Sequence, residues 1–190
     1  MTGLDYRVSS LRDMAVAAAE SGATACLSIG DPDTPCPPTP PGVIASRHLV
    51  LGFADLCKPG GRGGPSEGHI QAILEFMRGL RGGERVLVHC HAGISRSTAA
   101  AWIGDLDTRA AAGATIDLEL FRICRHELAE RRPVAVPNPI MMQLYLAHLH
   151  GNGLAADVDD RDLTGMRFAG LGSLDFDDEW TAVAGCPGSS

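Results

Sequence analysis

The chain has 190 residues and a mass of 19.9 kDa, with 45% hydrophobic and 21% charged residues, which is typical of one ordinary globular domain. Sixteen basic and 23 acidic side chains give a net charge of −7. This charge argues against nucleic acid or an anionic membrane as the main partner, because both bind clustered Lys or Arg. Residues 1–150 carry 14 basic and 15 acidic side chains, whereas residues 151–190 carry 2 and 8.

The first half of the chain predicts one helix and two strands around a proline-rich loop. Ser10 and Asp13 have the spacing of a capping box, which predicts a helix that ends near Gly22. Residues 23–29 and 48–53 are short apolar runs typical of buried strands. Between them, residues 31–42 hold six of the twelve prolines and predict a surface loop, since proline neither continues a helix nor fills a central strand.

The second half predicts four helices and one more strand. Apolar positions recur at intervals of three and four over residues 66–80, which predicts a helix, and residues 85–89 predict a central strand. Further helices are predicted over 97–112, after a cap at Thr115, and from Asn138 to residue 149. Helices that alternate with three or more short strands predict an α/β fold with a central short sheet flanked by helices.

The most informative segment lies between the predicted strand 85–89 and the helix that follows it. A six-residue loop that enters a helix turns successive N–H groups around one tetrahedral anion, and the helix N-terminus adds positive potential. Gly93 permits the tight backbone, and Arg96 brings a planar fork of donors to the same anion. Cys90 lies in this positive field, which favours its thiolate. The pattern predicts a nucleophile aimed at a bound phosphate.

Residues 89–97 resemble the signature of the cysteine-dependent protein tyrosine phosphatases, which is His-Cys followed by five residues and Arg-Ser or Arg-Thr. Residues 25–31 and 132–138, with Gln143 and Leu144, extend the resemblance. It covers about residues 1–150, a size similar to that of dual-specificity phosphatases, and we expect a bacterial type. The resemblance implies the fold of that superfamily, with the phosphate-binding loop between a central strand and a helix.

The resemblance also implies a role for each residue that matches the signature. Cys90 would accept the phosphoryl group, Arg96 would bind the phosphate and stabilise its transition state, and Ser97 would help the thiolate to leave in the second step. No metal and no cofactor is expected. The residues expected to bind the substrate phosphate are His91, Ala92, Gly93, Ile94, Ser95 and Arg96, with His89 and Asn138 in support.

The mechanism needs a general acid that protonates the leaving oxygen and a base that later activates water. The resemblance implies that one aspartate does both, from a loop that follows a strand ahead of the cysteine. Asp55 follows the predicted strand 48–53 and is our choice. Asp31 and Asp33 are alternatives, which would need the proline-rich loop to fold over the site.

The substrate expected from the resemblance is a phosphorylated protein. Phosphotyrosine is the main expected substrate. Because the catalytic region is too small for a deep recognition cleft, we expect a shallower pocket that also accepts phosphoserine and phosphothreonine. The loop side chains between Cys90 and Arg96 include no lysine, which makes a phosphoinositide substrate less favoured. The other readings are a catalytically weak phosphatase-like binding module and a rhodanese-like sulfurtransferase.

Two expectations concern the chain as a whole. Six irregularly spaced cysteines and no recognisable signal peptide favour reduced thiols in the cytoplasm. Residues 151–190 are expected to form an acidic C-terminal extension of the catalytic domain 1–150. The extension retains large apolar residues such as Leu163 and Trp180, so we expect it to be docked or partly flexible.

Overall fold

A computed structural model describes residues 3–58, 61–81, 83–159 and 161–163. Four parallel strands form a single sheet in the order β1-β4-β2-β3. β4 lies inside the sheet and is wholly buried, as its apolar run predicts. The strands are β1 (Tyr6–Ser10), β2 (Ala25–Gly30), β3 (His48–Gly52) and β4 (Val86–Cys90).

In the described part of the chain, five α-helices cover the two faces of the sheet. One helix, α1, packs against one face, and the other four build the larger core on the opposite face. The predicted α/β fold, with a central short sheet flanked by helices, is confirmed. The helices are α1 (Met14–Ser21), α2 (Glu67–Arg78), α3 (Arg96–Ala111), α4 (Leu118–Arg131) and α5 (Pro139–Gly151).

Strand β1 is absent from the sequence prediction. It lies at the edge of the sheet and pairs only with β4, from Tyr6 opposite Val86 to Ser10 opposite Cys90. Only Tyr6 and Val8 face the main core, so the strand shows too short an apolar pattern to be recognised. Its end lies beside Cys90, which makes it part of the frame around the predicted loop.

Two predicted helix starts are also corrected. The predicted capping serine, Ser10, does accept the Asp13 N–H at 3.1 Å, but it ends β1, and α1 begins only at Met14. The cap of α4 is Asp117, not Thr115, because the Asp117 carboxylate accepts the Leu120 N–H at 2.8 Å. A carboxylate at this place also interacts favourably with the positive end of the helix.

Helix α3 lies at the centre of the main core and fixes the end of the loop that follows β4. Three consecutive alanines, Ala99 to Ala101, are wholly buried and let the helix backbone approach its neighbours closely. Trp102 follows them and packs edge-on against Phe121 of α4, with ring centroids 6.0 Å apart. Burial of each such large side chain stabilises the fold by roughly 1.5–3 kcal/mol, so α3 is a rigid support.

The described start of the acidic extension packs on the main body. Ala155, Val158 and Leu163 are buried in the main core. His150 Nε2 lies 3.0 Å from the carbonyl oxygens of both Ala155 and Val158. The expectation that the whole extension is docked or partly flexible concerns mainly residues 164–190, which lie outside the described residues.

Candidate active site

The loop between β4 and α3 depends on a glycine. Gly93 has φ +71°, in the left-handed region that favours glycine. A Cβ at this position would lie 2.5 Å from the carbonyl carbon and oxygen of Ser9. The close approach of β1 and the positive φ therefore both require glycine here.

The carbonyl groups of this loop point outward and bond to the surrounding chain. Because each trans peptide is planar, the N–H that follows an outward carbonyl points to the opposite side, into the loop. These inward N–H groups and the N-terminus of α3 form a site for an anion. The outward bonds are Leu11 N–H to His91 O at 3.1 Å, Arg132 Nε to Gly93 O at 2.9 Å, Val136 N–H to Ile94 O at 2.9 Å and Asn138 N–H to Ser95 O at 3.2 Å.

Cys90 is the last residue of β4 and lies at the floor of this loop, where it is 2% exposed. Its Sγ accepts the Gly93 N–H at 3.3 Å and lies 3.1 Å from the Ser97 Oγ. The thiol is free. A thiolate at this position receives two hydrogen-bond donors and the positive end of a helix, which are the conditions that make a cysteine nucleophilic.

Arg96 begins α3 and is 3% exposed. Its Nη1 donates to the carbonyl oxygens of Gly30 at 3.0 Å and Phe53 at 2.6 Å, and to the Asp31 carboxylate at 2.8 Å. Its Nε is buried and has no hydrogen-bond partner among the described residues. The Nη1 bonds fix the guanidinium plane, and the Nε edge remains to bind the oxygens of an anion.

Asp55 and Asp31 both approach this guanidinium. Asp55 Oδ2 lies 3.6 Å from Arg96 Nε, and its Oδ1 accepts hydrogen bonds from Ser95 Oγ and Asn138 Nδ2, each at 2.7 Å. The Asp55 side chain is 25% exposed and the Asp31 side chain 49%. The structure therefore brings the preferred acid and one alternative to the same site, whereas Asp33 is exposed in the proline-rich loop and makes no ion pair with Arg96.

Asn138 connects three parts of the site. Its Oδ1 accepts the Met141 N–H at 3.0 Å and caps α5, while its Nδ2 donates to Asp55 and to the Leu56 carbonyl at 2.9 Å. Its backbone N–H donates to the Ser95 carbonyl of the loop between β4 and α3. One buried side chain thus fixes Asp55 relative to the loop. These contacts are the physical basis for the supporting role that we expected for Asn138.

His89 lies behind the nucleophile. Its Nε2 is 2.6 Å from the Ser28 Oγ, which is itself 2.6 Å from His48 Nε2. Burial lowers the pKa of His89 from 6.5 to about 4, so the ring is neutral at pH 7. The sequence analysis did not single out Ser28 or His48. The signal available there was a serine in the apolar strand 23–29, but the contact itself depends on the pairing of β2 with β4.

Several solved structures are similar to this chain. A variant of human DUSP28 is 25% identical, with a TM-score of 0.57 over 78% of this chain and 93% of that one. The human tyrosine phosphatase-like serine/threonine/tyrosine-interacting protein is 21% identical over the same shares, with a TM-score of 0.57. OH1 of the Orf virus, a tyrosine phosphatase, is 21% identical over 77% and 83%, with a TM-score of 0.53. No family model and no curated protein matches the chain.

The chain has the fold of these dual-specificity and tyrosine phosphatases and carries the signature at residues 89–97. The two observations together support the cysteine-dependent protein tyrosine phosphatase superfamily. The four-stranded parallel sheet and flanking helices of the chain match the dual-specificity phosphatases in particular. The bacterial type that we expected stays a prediction.

The remaining residues of this phosphatase loop differ in exposure. His91 and Ala92 are exposed at its mouth, Ile94 is half-buried, and Ser95 is buried where it holds Asp55. Among the described residues, no group of three or more His, Cys, Asp and Glu side chains is arranged to hold a metal ion. None of the helices in the described part of the chain is long and apolar enough to cross a membrane.

The lowered pKa of His89 predicts how stability depends on pH. As the pH falls from 6.5 towards 4, the unfolded chain takes up a proton at this histidine and the folded chain does not, so stability falls. His89 alone contributes a loss of about 2 kcal/mol between pH 7 and pH 5. Urea unfolding at the two pH values measures this loss.

The variant His89→Gln cannot titrate at this position. Its loss of stability between pH 7 and pH 5 is expected to be smaller than that of the wild type by about 2 kcal/mol. The matched control is His126→Gln, on a side chain that is 76% exposed on α4, and it should lose as much stability as the wild type. Equal losses in the wild type and His89→Gln would show that burial does not hold His89 neutral.

Proposed function

We propose that the protein hydrolyses phosphotyrosine in proteins, with phosphoserine and phosphothreonine as further substrates, through a phosphocysteine intermediate. The observation that carries the proposal is the position of the Cys90 Sγ. It lies 3.1 Å from the Ser97 Oγ and 3.3 Å from the Gly93 nitrogen, at the floor of a loop whose N–H groups point inward beside Arg96. This arrangement aims a thiolate at a bound phosphate.

In the first step, the Cys90 thiolate attacks the phosphorus atom. The S–P bond forms, the bond from phosphorus to the leaving oxygen breaks, and Asp55 gives its proton to that oxygen. The inward N–H groups and the Nε edge of Arg96 stabilise the charge on the other three phosphate oxygens. The dephosphorylated side chain then leaves.

In the second step, water attacks the phosphorus of phosphocysteine. Asp55 takes a proton from the water, the S–P bond breaks, and inorganic phosphate is released. The Ser97 Oγ, 3.1 Å from Cys90 Sγ, donates a hydrogen bond to the departing thiolate and makes it a better leaving group. The enzyme returns to its starting state and needs no cofactor.

The cleft beside Cys90 supports an aromatic leaving group. Its volume is about 270 Å³, and an apolar cavity of about 150 Å³ holds benzene. The apolar residues that line it include Leu11, Ile29, Pro35 and Pro37. A cleft of this volume has room for the ring of phosphotyrosine and also for the smaller side chains of phosphoserine and phosphothreonine.

A turnover panel tests this proposal. It compares phosphotyrosine, phosphoserine and phosphothreonine peptides, a phosphoinositide and an aryl phosphate. We expect the highest kcat/KM on phosphotyrosine, no turnover in Cys90→Ser, and a loss of about 10²-fold or more in Arg96→Lys, which cannot offer the same fork of donors. Cys36→Ser, at an exposed free thiol, is the matched control and should keep full activity.

Each other outcome of the panel has a meaning. Wild-type rates in Cys90→Ser would exclude the phosphocysteine mechanism. Tight binding of the phosphotyrosine peptide without turnover would show that the protein is a phosphate-binding module and not an enzyme. Highest activity on the phosphoinositide would overturn the proposed substrate class and keep the mechanism.

A pair of matched variants identifies the general acid. Asp55→Asn keeps an oxygen for the hydrogen bonds from Ser95 and Asn138 but has no proton to give. It should slow phosphotyrosine hydrolysis by about 10²–10⁴-fold, and an aryl phosphate with a good leaving group much less, because that group leaves without protonation. Kinetics on both substrates measure the difference.

Asp31→Asn is the comparison, since Asp31 also contacts Arg96. It should change both substrates by similar factors, because it acts through the position of the guanidinium. If the difference between the substrates appeared in Asp31→Asn and not in Asp55→Asn, then Asp31 would be the acid.

A further inference from the structure

Three polar side chains, Ser28, His48 and His89, form a hydrogen-bonded polar row on the sheet face that α1 covers. The buried residues at this face include Met14, Cys26 and Leu87. Because side chains alternate along a strand, Ser28 shares this face with Cys26, and His89 shares it with Leu87. Ser28 is in register with His89 on β4, and His48 on β3 is in register with Cys26. The polar row therefore crosses three adjacent strands.

Hydrogen bonds connect this row from the surface to the nucleophile strand. Thr39, in the proline-rich loop, has its Oγ1 3.1 Å from His48 Nδ1. His48 Nε2 and His89 Nε2 each lie 2.6 Å from the Ser28 Oγ. Thr39 is exposed, His48 is half-buried, and Ser28 and His89 are buried. A half-buried histidine is thus coupled to the residue directly before Cys90.

The proton count of Ser28 restricts the two imidazoles. The hydroxyl carries one proton, so it donates to one Nε2 and accepts a hydrogen bond from the other. Burial lowers the pKa of both His48 and His89, so both rings are neutral at pH 7. The two rings therefore hold opposite tautomers, and the row of hydrogen bonds runs in one direction.

The inner end of the row depends on Ser28. His89 Nδ1 is buried and has no partner with hydrogen-bond geometry among the described residues. The Ser28 hydroxyl, 2.6 Å from His89 Nε2, therefore fixes the tautomer of this ring. Because the same hydroxyl lies 2.6 Å from His48 Nε2, the tautomer of His48 determines that of His89.

We propose that His48 is a positioning residue for the nucleophile: through the Ser28 hydroxyl it fixes the tautomer and the orientation of His89, the residue directly before Cys90. Without His48 the His89 ring is held less firmly behind Cys90, and the loop donors that favour the thiolate are placed less accurately. The inference rests on the proposed function of Cys90. Besides Ser28 and Thr39, the titratable group that acts on His48 is His89, and no carboxylate of the described residues forms an ion pair with it.

The test measures the nucleophile directly. Alkylation of Cys90 by iodoacetamide is followed against pH, with mass spectrometry of its peptide to separate it from the other thiols. His48→Ala should move the midpoint of the alkylation profile to higher pH by about half a unit to one unit, which is about a threefold to tenfold slower reaction at pH values below the midpoint. The acidic limb of the kcat/KM profile should move in the same way.

Three further variants distinguish positioning from loss of structure. His48→Gln keeps an amide N–H that can donate to Ser28, and it should restore most of the wild-type profile. Ser28→Ala should shift the midpoint as His48→Ala does, and the double variant should shift it no further, because both changes break the same row. His126→Ala on α4 is the control and should leave the profile unchanged. Thermal unfolding confirms that each variant is folded.

An unchanged midpoint in folded His48→Ala would overturn the inference. Equal shifts in His48→Ala and His48→Gln, or additive shifts in the double variant, would also overturn it. Alkylation needs no turnover, so the result is independent of whether the protein hydrolyses phosphate esters. A failure of the proposed function appears in the substrate panel and not in this profile.

Discussion

The buried charge of Arg96 is the constraint on which the rest of the site depends. A guanidinium that is 3% exposed is costly unless carbonyl oxygens and carboxylates surround it. The ends of β2 and β3 supply two carbonyl oxygens, at Gly30 and Phe53, and the loops beyond them supply Asp31 and Asp55. The charge therefore draws the proposed acid and the loop between β4 and α3 together, and the buried Nε edge of the guanidinium is the part that we propose for the substrate.

The parallel sheet makes this convergence possible. All four strands end at the same edge, so the loops that follow them meet there. Leu11, directly after β1, and the segment 132–138 then hold the loop carbonyls from outside, which turns the peptide N–H groups inward. Gly93 is required because β1 passes too close for a side chain. The anion site is thus a product of the surrounding frame as much as of the loop itself.

The sequence predicts the features that are local in the chain, which are the helices, most of the strands and the loop after Cys90. It does not predict the contacts that depend on which strands pair. The loop from Cys90 to Arg96 is contiguous, so its type and its anion site follow from residue order alone. The α/β fold follows from the alternation of helices and apolar runs. By contrast, the contacts of Ser28 with His48 and His89 span 20 and 61 residues, and the contact of Asp31 with Arg96 spans 65. No periodicity or motif in the sequence predicts contacts between residues this far apart. Strand β1 is missed for another reason, since its apolar pattern is too weak to predict a strand.

The central claim is that a phosphoryl group passes through Cys90, and rapid acid quenching during turnover of an aryl phosphate tests it most directly. The peptide that contains Cys90 should gain the mass of one phosphoryl group. The trapped fraction should rise in Ser97→Ala, because the hydrogen bond to the departing thiolate is lost. A phosphoryl group on a different residue, or turnover with none trapped on Cys90 in either protein, would contradict the account.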